Sequence, residues 1–282
     1  MAVRVEDVAA PQTIAEAIAF IKRRPEAMPW AGGTLLMNHA DRPGDDRPMS
    51  ILDLHGIPEL TAIHRSDRFL ELGACVTLSA ILSLPESLAL DPLREGIRSI
   101  ATASVRNLAT IGGNISARDY FMTCFPALAC MDAAVELRDG LGARWMGIHA
   151  LIGDDGRPAF PDATLLTRIR IPSLHWDLAT IRELGEQARG EPCPASFAAA
   201  ARVEKGTIME LRLVAAGRTI VRDRNLELSL IGQRLPLSQK MIETAQTAAV
   251  DMARDSDFDA ARANRYGSAV AAFLYDMQGQ SR

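Results

Sequence analysis

The sequence predicts an α+β protein assembled from several small layers of helix and sheet. Three observations predict this class: a short β/α/β pattern near the amino terminus, period-two strand patterns in the middle, and two strands followed by helices at the carboxyl end. The sequence contains no internal repeat and no low-complexity tract. With 282 residues, the chain has room for one large domain or for two to three small ones, each with its own core.

The amino-terminal unit begins with a helix over residues 11–24, which Pro25 ends. Its apolar face consists of Ile14, Ala17, Ile18 and Ile21. The segment MPWAGG predicts a short buried strand that runs into a glycine turn, and Thr34 is placed to cap a helix that continues to His39. After a loop over residues 41–48, MSILDL predicts a second strand.

The middle of the chain alternates between strand and helix patterns. LTAIHR and RFLELGACVTL predict two strands, and residues 91–103 have the spacing of a helix. The next segment, SVRNLATIGGNIS, predicts a loop rich in Gly and Asn between apolar stretches. FPALACMDAAVELRD then predicts a helix or turn that leads into a strand, and LLTRIRIP predicts a strand that Pro172 stops.

The carboxyl-terminal part begins after a polar segment at residues 173–195, whose Gly and Pro content predicts a linker. FAAAARVEKG and IMELRLVAAG predict two strands joined by a turn at Lys205 and Gly206. Three helices are predicted to follow, in the segments LELSLIGQRL, QKMIETAQTAAVDMARD and NRYGSAVAAFLYDMQ. Domain boundaries are therefore expected near residues 56 and 174.

Composition and motifs exclude several classes of function. The formal net charge of −4 gives no reason to expect nucleic acid or an anionic membrane as partner. A secretory signal and an apolar stretch long enough to span a bilayer are both missing, which favours a cytoplasmic protein. The four cysteines lack zinc or iron–sulfur spacing and are expected as buried, reduced thiols. The Arg-Asp-Arg run at residues 222–224 predicts an exposed face or a subunit contact.

The chemically informative segments are two loops that each contain a glycine pair. Loop 1 is Trp30-Ala31-Gly32-Gly33-Thr34-Leu35-Leu36, and loop 2 is Ala109-Thr110-Ile111-Gly112-Gly113-Asn114-Ile115. Paired glycines let the backbone approach a phosphate and present successive N–H groups as an anion-binding nest. Either pair alone is more often a tight turn, and neither matches GxGxxG or a P-loop. Together they favour a diphosphate held from two sides.

The two loops resemble those of the FAD-binding medium subunits of the xanthine dehydrogenase and carbon monoxide dehydrogenase (molybdenum hydroxylase) family. The longest match is Arg106-Asn107 followed by Ala109-Thr110-Ile111-Gly112-Gly113-Asn114. FPALACMDAAVEL and LLTRIRIP follow in the family's order, so the resemblance covers nearly the whole chain. It implies a vanillyl-alcohol-oxidase-type FAD-binding domain of two subdomains, at residues 1–56 and 57–174, and a C-terminal α+β domain at 175–282.

The resemblance also implies which residues bind FAD. Loop 1 would wrap the pyrophosphate, loop 2 would complete the grip with Ile111 near the flavin ring, and the ribityl chain would meet the 116–123 segment. That segment departs from the family pattern, because Thr123 stands where relatives have Asp, and Tyr120 or Phe121 would then lie near the ring instead. The implied cofactor-binding residues are Trp30, Ala31, Gly32, Gly33, Thr34, Leu35, Asn107, Thr110, Ile111, Gly112, Gly113, Asn114, Asp119 and Thr123.

The implied function is electron transfer within a larger complex. A molybdenum-cofactor large subunit would oxidise the substrate, and an iron–sulfur small subunit would pass electrons to this FAD and on to a terminal acceptor. No catalytic residue and no metal ligand is predicted in this chain, which has no HExxH motif and no GxSxG elbow. Two alternatives remain: a self-contained flavin oxidoreductase of the same fold, related to the enolpyruvyl-sugar reductases, and a structural subunit whose flavin site has decayed.

Overall fold

The computed structural model describes residues 5–40, 49–88, 90–117, 121, 123–185, 195–256 and 258–280. Over these residues the chain forms three sheets and two layers of helices, which confirms the α+β class. The strands are β1 Val5–Ala9, β2 Met28–Trp30, β3 Met49–Asp53, β4 Ile63–Arg65, β5 Phe69–Gly73, β6 Ala134–Asp139, β7 Gly142–Gly147, β8 Leu165–Pro172, β9 Leu178–Glu183, β10 Ser196–Glu204, β11 Thr207–Ala216 and β12 Ile220–Val221. The helices are α1 Ile14–Arg23, α2 Thr34–Ala40, α3 Leu78–Leu82, α4 Asp91–Ser99, α5 Ala103–Arg106, α6 Ile111–Ile115, α7 Cys124–Cys130, α8 Arg224–Leu230, α9 Gln239–Asp255 and α10 Ala260–Asp276.

The first sheet is parallel, with strand order β1-β3-β2. Helix α1 covers it with the four apolar residues that its spacing predicts, all of which are buried. Strand β1 was not expected, because four of its five side chains are exposed and its sequence, VEDVA, has no buried alternation to detect. The proposed cap at Thr34 is wrong: Thr34 is the first residue of α2, and the Gly33 carbonyl accepts the first helical hydrogen bond, from the Met37 N–H.

The second sheet is antiparallel, with order β4-β5-β8-β6-β7. Strand β8 alternates as predicted: Ile169 and Ile171 enter the main core, while Arg168 and Arg170 lie on the opposite face. On that face the nearly buried Glu136 carboxylate accepts hydrogen bonds from Arg168 and from the Thr167 hydroxyl. These charge-assisted bonds keep the sheet's outer face ordered.

The segment 103–116 is not the continuous loop that its Gly and Asn content predicted. It forms two short helices, α5 and α6, joined by residues 107–110. The Thr110 side chain accepts a hydrogen bond from the Gly113 N–H and so caps α6. This cap, together with burial of Ile111 and Ile115 in the main core, outweighs the low helix propensity of two adjacent glycines.

The third sheet has order β12-β11-β10-β9. The turn between β10 and β11 lies at Lys205 and Gly206 as predicted, with φ values of 49° and 72°. The linker prediction for residues 173–195 is wrong in part, because β9 lies inside that segment and pairs with β10 along six residues. The polar ends of β9 and the neighbouring Gly and Pro residues conceal the strand in the sequence.

This sheet is covered on both faces. Ala198 and Ala200 of β10 belong to the main core beside α7, whereas Ala199 and Ala201 belong to the carboxyl-terminal core beneath helices α8–α10. The Arg222 side chain was expected at an exposed face, but it is largely buried, where it donates to Glu227 and lies 2.7 Å from His149 Nε2. The boundaries near residues 56 and 174 stay a prediction.

In the part of the chain that the structure describes, no helix is both long and apolar enough to cross a membrane. Three cysteines are free and buried, as predicted: Cys75, Cys124 and Cys130. The fourth, Cys193, lies outside the described residues.

Candidate functional site

Loop 1 leaves the carboxyl end of β2 and enters α2. The Trp30 carbonyl accepts a hydrogen bond from the Leu54 N–H, which ties the start of the loop to the end of β3. Gly33 has φ +65°, and a methyl group on it would overlap the Trp30 ring. A residue with a side chain would therefore be strained here in conformation and in space.

The backbone N–H groups of loop 1 are available as donors. Among the described residues, none of the six consecutive N–H groups from Ala31 to Leu36 has a hydrogen-bond acceptor. Three of them belong to the first turn of α2, where an α-helix leaves such groups unpaired. Residues 31 to 36 are only partly buried.

Loop 2 uses its N–H groups differently. Ile111 donates to the Val76 carbonyl at 3.0 Å and Gly112 to the Ala74 carbonyl at 2.8 Å. Gly113 and Asn114 donate to the side chain and the carbonyl of Thr110, at 3.1 and 3.0 Å. All four N–H groups are engaged within the chain, so loop 2 does not form the free anion-binding nest that the sequence predicted.

The two loops nevertheless meet. A methyl group on Gly32 would overlap the Leu108 carbonyl oxygen and come within 3.0 Å of the Ala109 Cα, so the backbones are in direct contact. Gly112 also packs closely, although less tightly than Gly32: an added Cβ would lie 2.6 Å from the Ala74 oxygen. Gly113 is exposed, and among the described residues a Cβ added to it would come close to the Thr110 hydroxyl alone.

The segment after loop 2 is joined to it through Asn114. The buried Asn114 side chain accepts a hydrogen bond from the Cys124 N–H at 3.2 Å, next to Thr123, which occupies the N-cap position of α7. Thr123 is itself buried, and its contact with the ribityl chain stays a prediction. Asp119 and Tyr120 lie outside the described residues.

Three implied contacts differ in accessibility. The Ile111 side chain has no exposed surface, and Phe121 is buried against Phe125 at a ring distance of 4.3 Å. Either side chain reaches a bound ring only if its neighbours move, so their proximity to a flavin stays a prediction. Asn107, at the end of α5, is exposed.

Sequence reasoning missed two exposed apolar side chains near the junction. Leu108 is 59% exposed and follows Asn107, and Met37 is 52% exposed on α2. Their apolar character suggested core positions, and no periodic pattern separates an exposed apolar residue in a loop from a buried one.

Asp53 lies at the end of β3, paired in the sheet with Trp30 at the start of loop 1. Burial raises its pKa, but hydrogen bonds from the His55 N–H and ring, with the charge of His55, outweigh it and hold the pKa below its ordinary value. Burial raises the pKa of the Cys75 thiol to about 12, which keeps it protonated and inert. Within the described ranges, no group of three or more His, Cys, Asp or Glu side chains is arranged to hold a metal ion.

The arrangement fits a diphosphate group on three counts. Judged on the described residues, it offers N–H donors without acceptors in loop 1, a backbone approach that side chains would block at Gly32, and an exposed Gly113.

Comparison with known proteins agrees. Residues 3–174 match the family model described as the FAD binding domain in molybdopterin dehydrogenase. The xanthine dehydrogenase FAD-binding subunit of Escherichia coli O157:H7 is 27% identical over 89% of this chain and 87% of its own length. The carbon monoxide dehydrogenase medium chain of Afipia carboxidovorans is 31% identical over 57% of each chain.

A solved structure shows the same fold. The carbon monoxide dehydrogenase of Hydrogenophaga pseudoflava, in a form that lacks the Mo-pyranopterin moiety, superposes with a TM-score of 0.83 at 22% identity, over 98% of both chains. The family model covers well over half of this chain, which confirms the predicted cofactor, FAD, and the predicted class, an FAD-dependent oxidoreductase subunit. The chain thus belongs to the family of FAD-binding domains of molybdopterin dehydrogenases.

Proposed function

We propose that this chain is the electron-transfer subunit of a molybdenum-hydroxylase-type complex and holds its FAD at the junction of loops 1 and 2. The observation that carries the proposal is the run of N–H groups from Ala31 to Leu36, which have no acceptor among the described residues and lie directly beside the backbone of loop 2. These donors would bind the diphosphate of FAD. The amino end of α2 would also favour the two negative charges of this group. When bound, FAD supplies the ability to accept electrons singly and release them in pairs.

The remaining implied residues have distinct tasks in this proposal. The Trp30 ring packs against Gly33. Thr34 and Leu35 contribute two of the N–H donors of loop 1. Thr110, Gly112 and Asn114 would shape loop 2 through their internal bonds, while Gly113 would leave space for the cofactor. The place of Ile111 near the ring and that of Asp119 or Thr123 at the ribityl chain are carried over from the family resemblance, as is Asn107 as a cofactor-binding residue.

The proposed partners follow from the same division of labour. A separate large subunit would hold the molybdenum cofactor and oxidise the substrate, and a small subunit would hold iron–sulfur clusters that reduce this FAD. Relatives that carry the names FAD-binding subunit and medium chain support this arrangement. We propose the cytoplasm as the location of the complex and two FAD-binding subdomains, 1–56 and 57–174, before a carboxyl-terminal domain, 175–282.

The first test is the absorption spectrum of the purified chain, with identification of any flavin that heat releases. We expect flavin bands and FAD. The Gly113→Asp variant should lose the cofactor, because a carboxylate would face the diphosphate across the open side of loop 2. Gly113→Asn is the matched control, since it adds nearly the same volume without charge and should retain more FAD.

A wild-type chain that stays colourless and takes up no added FAD would overturn the proposal for the isolated chain. Equal loss of FAD in Gly113→Asp and Gly113→Asn would overturn the placement of the diphosphate at loop 2, because volume alone would then explain the effect. Co-purification of a molybdenum-containing chain and an iron–sulfur chain would test the proposed partners. Flavin reduction by substrate only when both partners are present would separate a relay from a self-contained enzyme.

A further inference from the structure

Arg106 binds the carboxyl end of the helix that precedes loop 2. Its Nη1 donates to the Ile100 carbonyl at 2.7 Å and to the Ala101 carbonyl at 2.8 Å, with a longer contact of 3.4 Å to Arg98. These carbonyls lie at the end of α4, where a helix exposes unpaired acceptors and a partial negative charge. Within the described part of the chain, no carboxylate lies at ion-pair distance from Arg106.

The turn that Arg106 binds is strained. Ala101 has φ +43°, a left-handed conformation that L-residues other than Gly, Asn and Asp rarely adopt. Two strong hydrogen bonds, one to Ala101 itself and one to the preceding carbonyl, hold the backbone in this conformation. The guanidinium therefore fixes the angle between α4 and α5.

That angle determines where loop 2 meets loop 1. Residues 106 to 109 wind directly onto α5, since the N–H groups of Leu108 and Ala109 both donate to the Val105 carbonyl. The Leu108 carbonyl then packs against Gly32 without space for a methyl group. A small rotation of α5 would push this carbonyl into Gly32 or away from it, and the donors at residues 31–36 would move accordingly.

We propose that Arg106 is a positioning residue for FAD binding: it locks α5 onto α4, so that loop 2 holds the donors of loop 1 in a diphosphate-binding geometry. The proposal rests on the proposed function, because it concerns the same site. The Arg106 side chain binds carbonyl groups of the protein itself and therefore acts on the cofactor indirectly.

The test compares Arg106→Gln and Arg106→Lys with the control Arg98→Gln. Arg98 is exposed on the last turn of α4 and has no side-chain hydrogen bond or ion pair among the described residues, so its replacement changes the charge equally without breaking the contact. The readouts are the FAD dissociation constant of the folded chain, by flavin fluorescence, and the melting temperature of the FAD-free protein.

We expect Arg106→Gln to weaken FAD binding about tenfold or more, since a charge-assisted hydrogen bond contributes more than a neutral one. Arg106→Lys should retain part of the affinity, because an ammonium group can still donate to two carbonyls. Arg98→Gln should change the affinity less than twofold.

A double variant makes the test specific. In Ala101→Gly/Arg106→Gln, glycine adopts φ +43° without strain, so part of the lost FAD affinity should return. If Arg106→Gln alone fails to fold, FAD affinity is measured in this double variant instead.

Two outcomes would overturn the inference: unchanged FAD affinity in Arg106→Gln, whether or not its melting temperature falls, or an equal loss of affinity in Arg98→Gln. If the wild-type chain itself binds no FAD, the proposed function fails instead, so the two failures are distinguishable.

Discussion

Loops 1 and 2 each contain a glycine pair and meet at one junction, yet their backbone N–H groups are used in opposite ways. In the described part of the chain, the N–H groups of residues 31–36 in loop 1 have no acceptor, whereas those of residues 111–114 in loop 2 are engaged within the chain. In loop 2, Gly112 packs closely against Ala74 and Gly113 is exposed. In loop 1, Gly32 contacts the Leu108 carbonyl, and the glycine N–H groups are donors. A Gly-Gly pair therefore specifies a need for space, and only the surrounding hydrogen bonds determine whether that space serves a ligand or the fold.

The largest expected effect comes from Gly32, where the two loops touch. In Gly32→Val the new side chain would overlap the Leu108 carbonyl, which is backbone and cannot rotate away. We expect undetectable FAD binding and a loss of about 3 kcal/mol in the free energy of unfolding, as for overpacked sites. Denaturant titration and flavin retention measure the two effects. Normal FAD retention in this variant would mean that the loops do not act as one site.

Gly112→Ala should separate the fold from the ligand. Its Cβ would lie 2.6 Å from the Ala74 oxygen and 2.7 Å from the Ala74 Cβ, inside the protein and away from the donors of loop 1. We expect the unfolding free energy of the FAD-free chain to fall by about 2 kcal/mol. The control is Gly113→Ala, whose Cβ would meet, among the described residues, the Thr110 hydroxyl alone at 3.0 Å and should cost less. Equal stability of the two variants would contradict the packing role.

A smaller effect is expected at Thr110, which caps α6. Thr110→Val removes the hydroxyl that accepts the Gly113 N–H and should cost about 1 kcal/mol of stability, whereas Thr110→Ser should retain the cap. Thermal unfolding of the FAD-free variants measures the difference. If Val and Ser behave alike, the hydroxyl does not stabilise loop 2.

The smallest expected effect is on the pH dependence of stability, and it concerns Asp53 beside loop 1. The folded-state pKa of Asp53 is depressed, so its contribution to stability is present above the unfolded value near 3.8 and is lost as the pH falls through the folded value. Asp53→Asn should remove this part of the acid dependence and leave stability at neutral pH slightly lower. Stability measured from pH 6 down to pH 2 tests it, and identical acid profiles for the two proteins would refute it.

Much of the architecture was readable because the patterns are regular. The buried face of α1, the alternation of β8 and the turn at Lys205 and Gly206 all follow from period and turn chemistry. The failures share a cause. Strand β9 is specified by its pairing with β10, and α6 by a cap and a core beneath it, and such long-range contacts leave little trace in local sequence.

The candidate site was likewise predictable only in part. The two glycine pairs marked its place, but the sequence could not reveal that only one loop keeps its donors free. That distinction depends on Val76 and Ala74, which lie more than thirty residues before loop 2 in the chain and accept its hydrogen bonds. Leu108 and Met37 were missed because apolar residues at a surface junction look like core residues in a sequence.

The alanine run of β10 sets a limit on how the protein can be divided. The family match ends at residue 174, but Ala198 and Ala200, with Val214 and Ala216 of β11, are part of the core beside α7. A fragment cut at residue 174 would present the apolar side of α7 to water and would be expected to aggregate. Anyone who wants to transplant the flavin-binding unit into another protein must therefore carry the third sheet with it or replace α7's exposed face with polar residues.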